Sequence, residues 1–223
     1  MEGIFIIGGI IALVVVIIVC SIVFERKRSE AMEAVANDLS LTFYPKGDAT
    51  TQAAVGDLHL FQQGHSKKFV NMMTGTASGV EMAIFMYRYK TGGGKHQHTH
   101  NQTVISFQSA DLNVPPMEIR PEHMFHKIGK AFGYQDIDFE SHPQFSQQYL
   151  LRGPNEPDIR DFFDVDRLDV IEQLPRGVCI EAKQNRLIFY RGGKRLKSEQ
   201  IREFMEEGFA VYSMFKRHES ATD

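Results

Sequence analysis

KKFVNMMTGTASGVEMAIFMYRYKTGGGKHQHTHNQTVISFQSA, residues 67–110, is the stretch that decides the fold class. Within it Met82, Ile84 and Met86 alternate with Ala83, Phe85, Tyr87 and Tyr89. A strand sends successive side chains to opposite faces. Both sets are apolar, so the strand is expected to be covered on both faces. The segment GTASG at 75–79 and the three glycines at 92–94 punctuate the run. Three antiparallel strands, 67–75, 80–91 and 99–109, are therefore expected as a meander.

Upstream, Gly3 to Phe24 is a run of 22 residues without a charged side chain. As a helix it spans about 33 Å, enough for a bilayer core. Arg26, Lys27 and Arg28 follow it, and no Lys or Arg precedes it. A cleaved leader shows the reverse order, so an uncleaved anchor is expected. Basic residues stay on the cytoplasmic side, which sets the N-terminus outside and residues 25–223 in the cytoplasm. The two cysteines suggest no pairing. Helical spacing continues to Leu39, and a second short helix is expected over 51–60.

Downstream, NVPPMEIRP at 113–121 reads as a proline-bounded extended linker, the natural seam if the region forms two lobes. A helix is expected over 120–133, with Pro121 near its start. DIDFE and QQYLLRG read as strands, NEPDIRDFF and DRLDVIEQL as helices, the first capped by Asn155. GVCIEAKQNRLIFYRGG reads as a hairpin turning at Gln184 and Asn185. The C-terminal helix is amphipathic: Ser198 is its expected cap, and Ile201, Phe204, Met205, Phe209, Tyr212 and Phe215 form its stripe.

Strands and helices come in blocks rather than in βαβ alternation, which indicates α+β with antiparallel sheet. The expected division is a transmembrane anchor at 1–24, a juxtamembrane helix and meander at 25–112, a second α+β lobe at 113–217 and a tail at 218–223.

The full chain carries 25 basic and 28 acidic side chains, a total that gives nucleic-acid binding no support. The charges are segregated. Residues 131–175 hold ten acidic and three basic groups, and residues 176–202 hold eight basic and two acidic. Such blocks attract each other within a fold, face partners, or are simply solvated.

Local motifs supply two candidate sites. His96, His98 and His100 recur at every second position, so a strand would place them on one face, and imidazole suits zinc, nickel or copper. Same-face neighbours are near 7 Å apart, whereas ligands about 2 Å from an ion approach within about 4 Å. The backbone must bend to close that site, and otherwise the stretch is a polar hairpin tip. In RGGKRLKS, the side chains of Arg191, Lys194, Arg195 and Lys197 precede a helix and suit an anion or a lipid headgroup, unless they are merely solvated. TGGGK lacks the spacing and the following helix of a phosphate loop. Asp136, Asp138, Glu140 and His142 alternate without a complementary set elsewhere. GxSxG, HExxH and paired CxxC motifs are missing, so nothing positive argues for an enzyme.

QTVISFQS, DIDFESHPQFSQQYLLRG, NEPDIRDFF and NRLIFYRGGKRLKSEQIREFMEEG resemble an uncharacterised bacterial family of membrane-anchored α+β proteins of unknown function. The resemblance covers most of residues 40–217. The C-terminal layout is distantly similar to a second bacterial family of unknown function. These resemblances imply a bacterial inner membrane and a shared fold, and assign no functional residue. The reading is a single-pass protein, held in the lipid bilayer through residues 3–24, whose cytoplasmic region binds or scaffolds a membrane protein partner and needs no cofactor. The alternative is a zinc- or nickel-binding or metal-sensing domain built on His96, His98 and His100.

Overall fold

The computed structural model describes residues 2–122 and 136–216. The expected tail lies outside them, as does the expected helix at 120–133 beyond Glu122.

The chain begins with one unbroken helix, α1, Glu2–Asp38. Its first part is long and apolar enough to cross a membrane, and none of that window is buried in the protein. Leu13, Ile22 and Phe24 are all more than half exposed. Its last turns meet a different environment, since Met32 and Ala36 are fully enclosed. The helix stops where Ser40 takes a left-handed backbone (φ 58°) and Leu41 N–H reaches Ala36 O at 2.8 Å. Such a 6→1 bond satisfies a terminal carbonyl.

Eight strands follow: β1 Thr42–Tyr44, β2 His65–Ala77, β3 Val80–Thr91, β4 His98–Ser109, β5 Val114–Pro121, β6 Tyr149–Arg152, β7 Val178–Gln184 and β8 Arg186–Arg191. They form one antiparallel sheet in the order β1-β2-β3-β4-β8-β7-β5-β6. The α+β class and the meander are as the sequence indicates. Ser78 and Gly79 close the β2–β3 hairpin, both with positive φ, the backbone that matches strand twist in a two-residue turn.

Residues 113–121 are not a linker. They carry β5, hydrogen-bonded to β7 on one side and β6 on the other. The two prolines at 115 and 116 fall at the register shift between Val114 and Met117, where a missing N–H costs the ladder least. The β7–β8 hairpin inserts between β4 and β5, so the strands before and after residue 112 share one sheet.

The remaining helices are α2 Ala49–Val55, α3 His59–Gln62, α4 Pro143–Gln148, α5 Glu156–Phe162, α6 Val165–Gln173 and α7 Ile201–Phe215. The end of α1 and α4 to α7 pack on the sheet face that carries Met82, Ile84, Met86, Ile105 and Ile180. Val55, Leu58, Leu60 and Phe61, from α2, α3 and the turn between them, cover the other face, which carries Phe85, Tyr87, Val104 and Tyr190.

Three local expectations are corrected. Asp136–Phe139 is irregular rather than a strand, tied to β6 by Ile137 N–H on Leu151 O (2.8 Å) and by Leu151 N–H on Asp136 Oδ1 (3.0 Å). Asn155 occupies the N-cap of α5 as expected, in extended backbone, but its side chain makes no cap bond. A 3₁₀ turn at Ser198–Gln200 precedes α7, where Gln200 Oε1 accepts from Lys197 N–H at 3.0 Å, and Ser198 Oγ donates to Glu199 Oε2 at 3.1 Å instead of capping α7.

Candidate functional site

The second sheet face holds a cleft of about 470 Å³. Its walls are the α2–α3 connection with His59, the start of β5, the β6–α5 loop at Gly153 and Pro154, and the end of β7. The glycine is required by space: a Cβ at 153 would sit 2.3 Å from Pro116 O and 2.5 Å from Ile159 Cδ1.

A row of charge lies beneath the cleft. Glu118 on β5 and Glu181 on β7 are directly opposite one another, and both are buried. Two like charges so placed repel. Two arginines compensate. Arg120 contacts Glu118 through Nε and Glu181 through Nη2, the latter at 3.2 Å. Arg152 donates from Nε and Nη2 to Glu118 Oε2, at 3.0 and 2.8 Å. Glu181 also accepts from Tyr190 Oη at 3.1 Å and from Leu60 N–H at 2.9 and 3.1 Å. It thereby satisfies a donor at the start of α3, where Leu58 offers no side-chain cap.

His59 Nδ1 lies 3.0 and 3.1 Å from the two Glu118 oxygens and 2.7 Å from Arg120 Nη2. Burial, and then the charge of Arg120, lower its pKa to about 4. The ring is therefore neutral at pH 7. Two carboxylates, two guanidiniums and a neutral imidazole leave the row without net charge. Cys179, nearby on β7, has its thiol pushed up to about 11 by burial, so it is no thiolate nucleophile.

Among the described residues, the trio whose ligand atoms lie within 4.8 Å of one another is His59, Glu118 and Glu181. An imidazole and two carboxylates suit zinc. A cation there must displace the guanidinium of Arg120, which already touches all three.

The sequence singled out other residues. His96 ends an exposed 3₁₀ turn, Gly94–His96, and His98 opens β4 in an exposed position. His100 stacks on Tyr89 at 4.6 Å, with Nε2 2.8 Å from Thr91 Oγ1. The three imidazoles are not gathered into a ligand set. The basic loop is dispersed as well. Arg191 bonds Glu207 Oε2 at 2.7 Å, and Lys197 Nζ lies 3.9 Å from Glu199. Lys194 is exposed, and Arg195 turns to the base of α1. The buried row itself had a signal: a lone Glu and Arg in MEIRP, and a lone Glu in VCIEA, interrupt otherwise apolar strands.

Fold and cleft together define an antiparallel α+β protein built onto a long apolar helix, with a charge-lined cleft on the face away from that helix. No family model and no curated protein matches the chain. Its fold is similar to the crystal structure of the mycobacterial trehalose monomycolate transport factor A, TtfA, with a TM-score of 0.61 and 11% identity, over 85% of this chain and 93% of that one. At that identity the likeness is one of fold.

Proposed function

We propose that the chain is a single-pass, membrane-anchored binding or scaffolding module of the bacterial inner membrane, with its N-terminus outside and residues 25–223 in the cytoplasm. The observation that carries this reading is α1, which runs without a break from an unburied apolar stretch into the core of the sheet. The basic side chains at 26–28 support the orientation. The mycobacterial neighbour and the resemblance to a bacterial family support the compartment. That neighbour is a transport factor, which favours a non-catalytic accessory role at a membrane, with the charge-lined cleft as the surface that meets a membrane protein partner. Extraction with alkaline carbonate is expected to leave the protein in the membrane. Protease added to intact spheroplasts is expected to spare residues 25–223, and protease added to inverted vesicles to digest them. Release by carbonate, or digestion in spheroplasts, overturns the reading.

Metal binding is the second reading, favoured by the convergence of His59, Glu118 and Glu181. Calorimetric titration of untagged protein with zinc tests it. Sub-micromolar binding abolished by His59→Ala supports a centre in the cleft, and binding abolished instead by changing His96, His98 and His100 to Ala supports the hairpin. Weak binding unaffected by either change removes both.

A further inference from the structure

A second cavity, of about 170 Å³, lies on the opposite sheet face at the foot of α1. Glu25, Lys68, Arg88, Asn101 and Arg195 line it, with Val70 and Met86 as its apolar floor. Arg28 joins from the helix: its Nε and that of Arg195 lie on the Met86 sulfur from two sides, at 3.3 and 3.2 Å. Glu25 is the one carboxylate lining the cavity among the described residues, and Arg195 holds it through two bonds of 2.8 and 2.5 Å. Lys68 and Arg88 are exposed and directly opposite one another across β2 and β3. Opposed like charges repel across a sheet, and an anion between them reverses the sign of that interaction. The three cations and one carboxylate that line the cavity leave it a net charge of +2.

Position identifies the anion. Glu25 directly follows Phe24, the last residue of the apolar run. At 1.5 Å per residue Arg28 stands about 6 Å beyond Phe24, inside a headgroup layer about 5–8 Å deep on each side of the hydrocarbon. Since α1 is unbroken, the cavity is held at that level rather than swung on a linker. We propose that this cavity binds the phosphate headgroup of an anionic phospholipid of the leaflet beside which the domain sits. Lys68, Arg88 and Arg195 supply donors, while Val70 and Met86 meet the glycerol end. The proposal rests on the membrane-anchored reading, and it fixes the face that the sheet turns to the bilayer.

The test uses the full chain in neutral detergent, titrated with phosphatidylglycerol or phosphatidylcholine and read by native mass spectrometry. One phosphatidylglycerol is expected to be retained where phosphatidylcholine is not. The double variant Lys68→Gln, Arg88→Gln is expected to weaken retention roughly thirtyfold. Among the described residues neither makes an ion pair, so its melting temperature is expected to match that of the parent. Equal retention of the two lipids, or a variant that retains phosphatidylglycerol as the parent does, overturns the proposal. Inorganic phosphate that competes at the same concentration as the lipid makes the site one for free phosphate and overturns the lipid assignment. Carbonate extraction separates the two readings: a protein that stays in the membrane yet shows no lipid preference loses only this site, whereas one that washes off loses the anchor and this site together.

Discussion

Among single residues, the charges under the cleft dominate. Glu181 meets Arg120, Tyr190 and the first turn of α3 at once. Replacing it with Ala leaves the buried row with one uncompensated positive charge and strands a buried N–H, and is expected to cost about 3–5 kcal/mol, measured by urea unfolding of the protein in detergent. Two titrations act in opposite directions. The pKa of His59 falls from 6.5 to about 4 on folding, so between those values the unfolded chain holds the proton and the folded one does not. That contribution to stability rises with pH across the window and is lost as pH falls through it. Burial chiefly raises Asp136 from 3.8 to about 6, so there the folded chain holds the proton and stability falls as pH rises through that window. Melting temperatures from pH 4 to 7 are expected to lose their downward turn toward acid in His59→Gln and to steepen it in Asp136→Asn, which keeps an acceptor for Leu151 N–H. Unchanged profiles would contradict these assignments. None of this row was legible from spacing. Glu118, Arg120 and Glu181 sit at ordinary strand positions, and their partners come from β6 and α3, distant in sequence.

At the scale of elements, close approach sets the limits. Gly208 lets α7 lie against β4, where a Cβ would meet Ile105 Cδ1 and Cγ2 at 2.9 Å. Ile105 is fully buried and has little room to yield. Valine at 208 is expected to cost about 1–3 kcal/mol through overpacking, despite glycine's poor helix propensity. At Gly153 even alanine is expected to destabilise by about the same amount, because the obstacle is the backbone of β5. Thermal melts of both variants check these values. The meander and the amphipathic stripe of α7 were readable because their periods, two and 3.6, are written in consecutive residues. DIDFE was misread for the same reason. Its alternation suits a strand, but Asp136 spends its carboxylate on Leu151 N–H and the segment ties to β6 without a ladder. NVPPMEIRP was misread because proline marks a break unless it falls at an irregularity, and that irregularity depends on β7.

The whole molecule is a sheet standing on a helix whose first part is apolar and unburied and whose last turns enter the core. Amides from Glu25 to Asp38 are expected to exchange hydrogen only through global unfolding, with no fast-exchanging hinge at 25–28, as read by exchange mass spectrometry in detergent micelles. A hinge there would uncouple the sheet from the apolar stretch and overturn the rigid attachment on which the lipid-site proposal rests. The sequence by itself determined the apolar span, the α+β class, the meander covered on both faces and the final helix, since each follows from length or period along a continuous stretch. Only the tertiary structure decided that the C-terminal hairpin enters the sheet between β4 and β5, that the histidines of the hairpin tip stay apart, and that His59, Glu118, Arg120, Arg152 and Glu181 come together. Those outcomes depend on pairing between residues as many as 121 positions apart, and the partner of a strand edge or a buried charge is chosen by which surfaces remain to be covered once the local elements have formed.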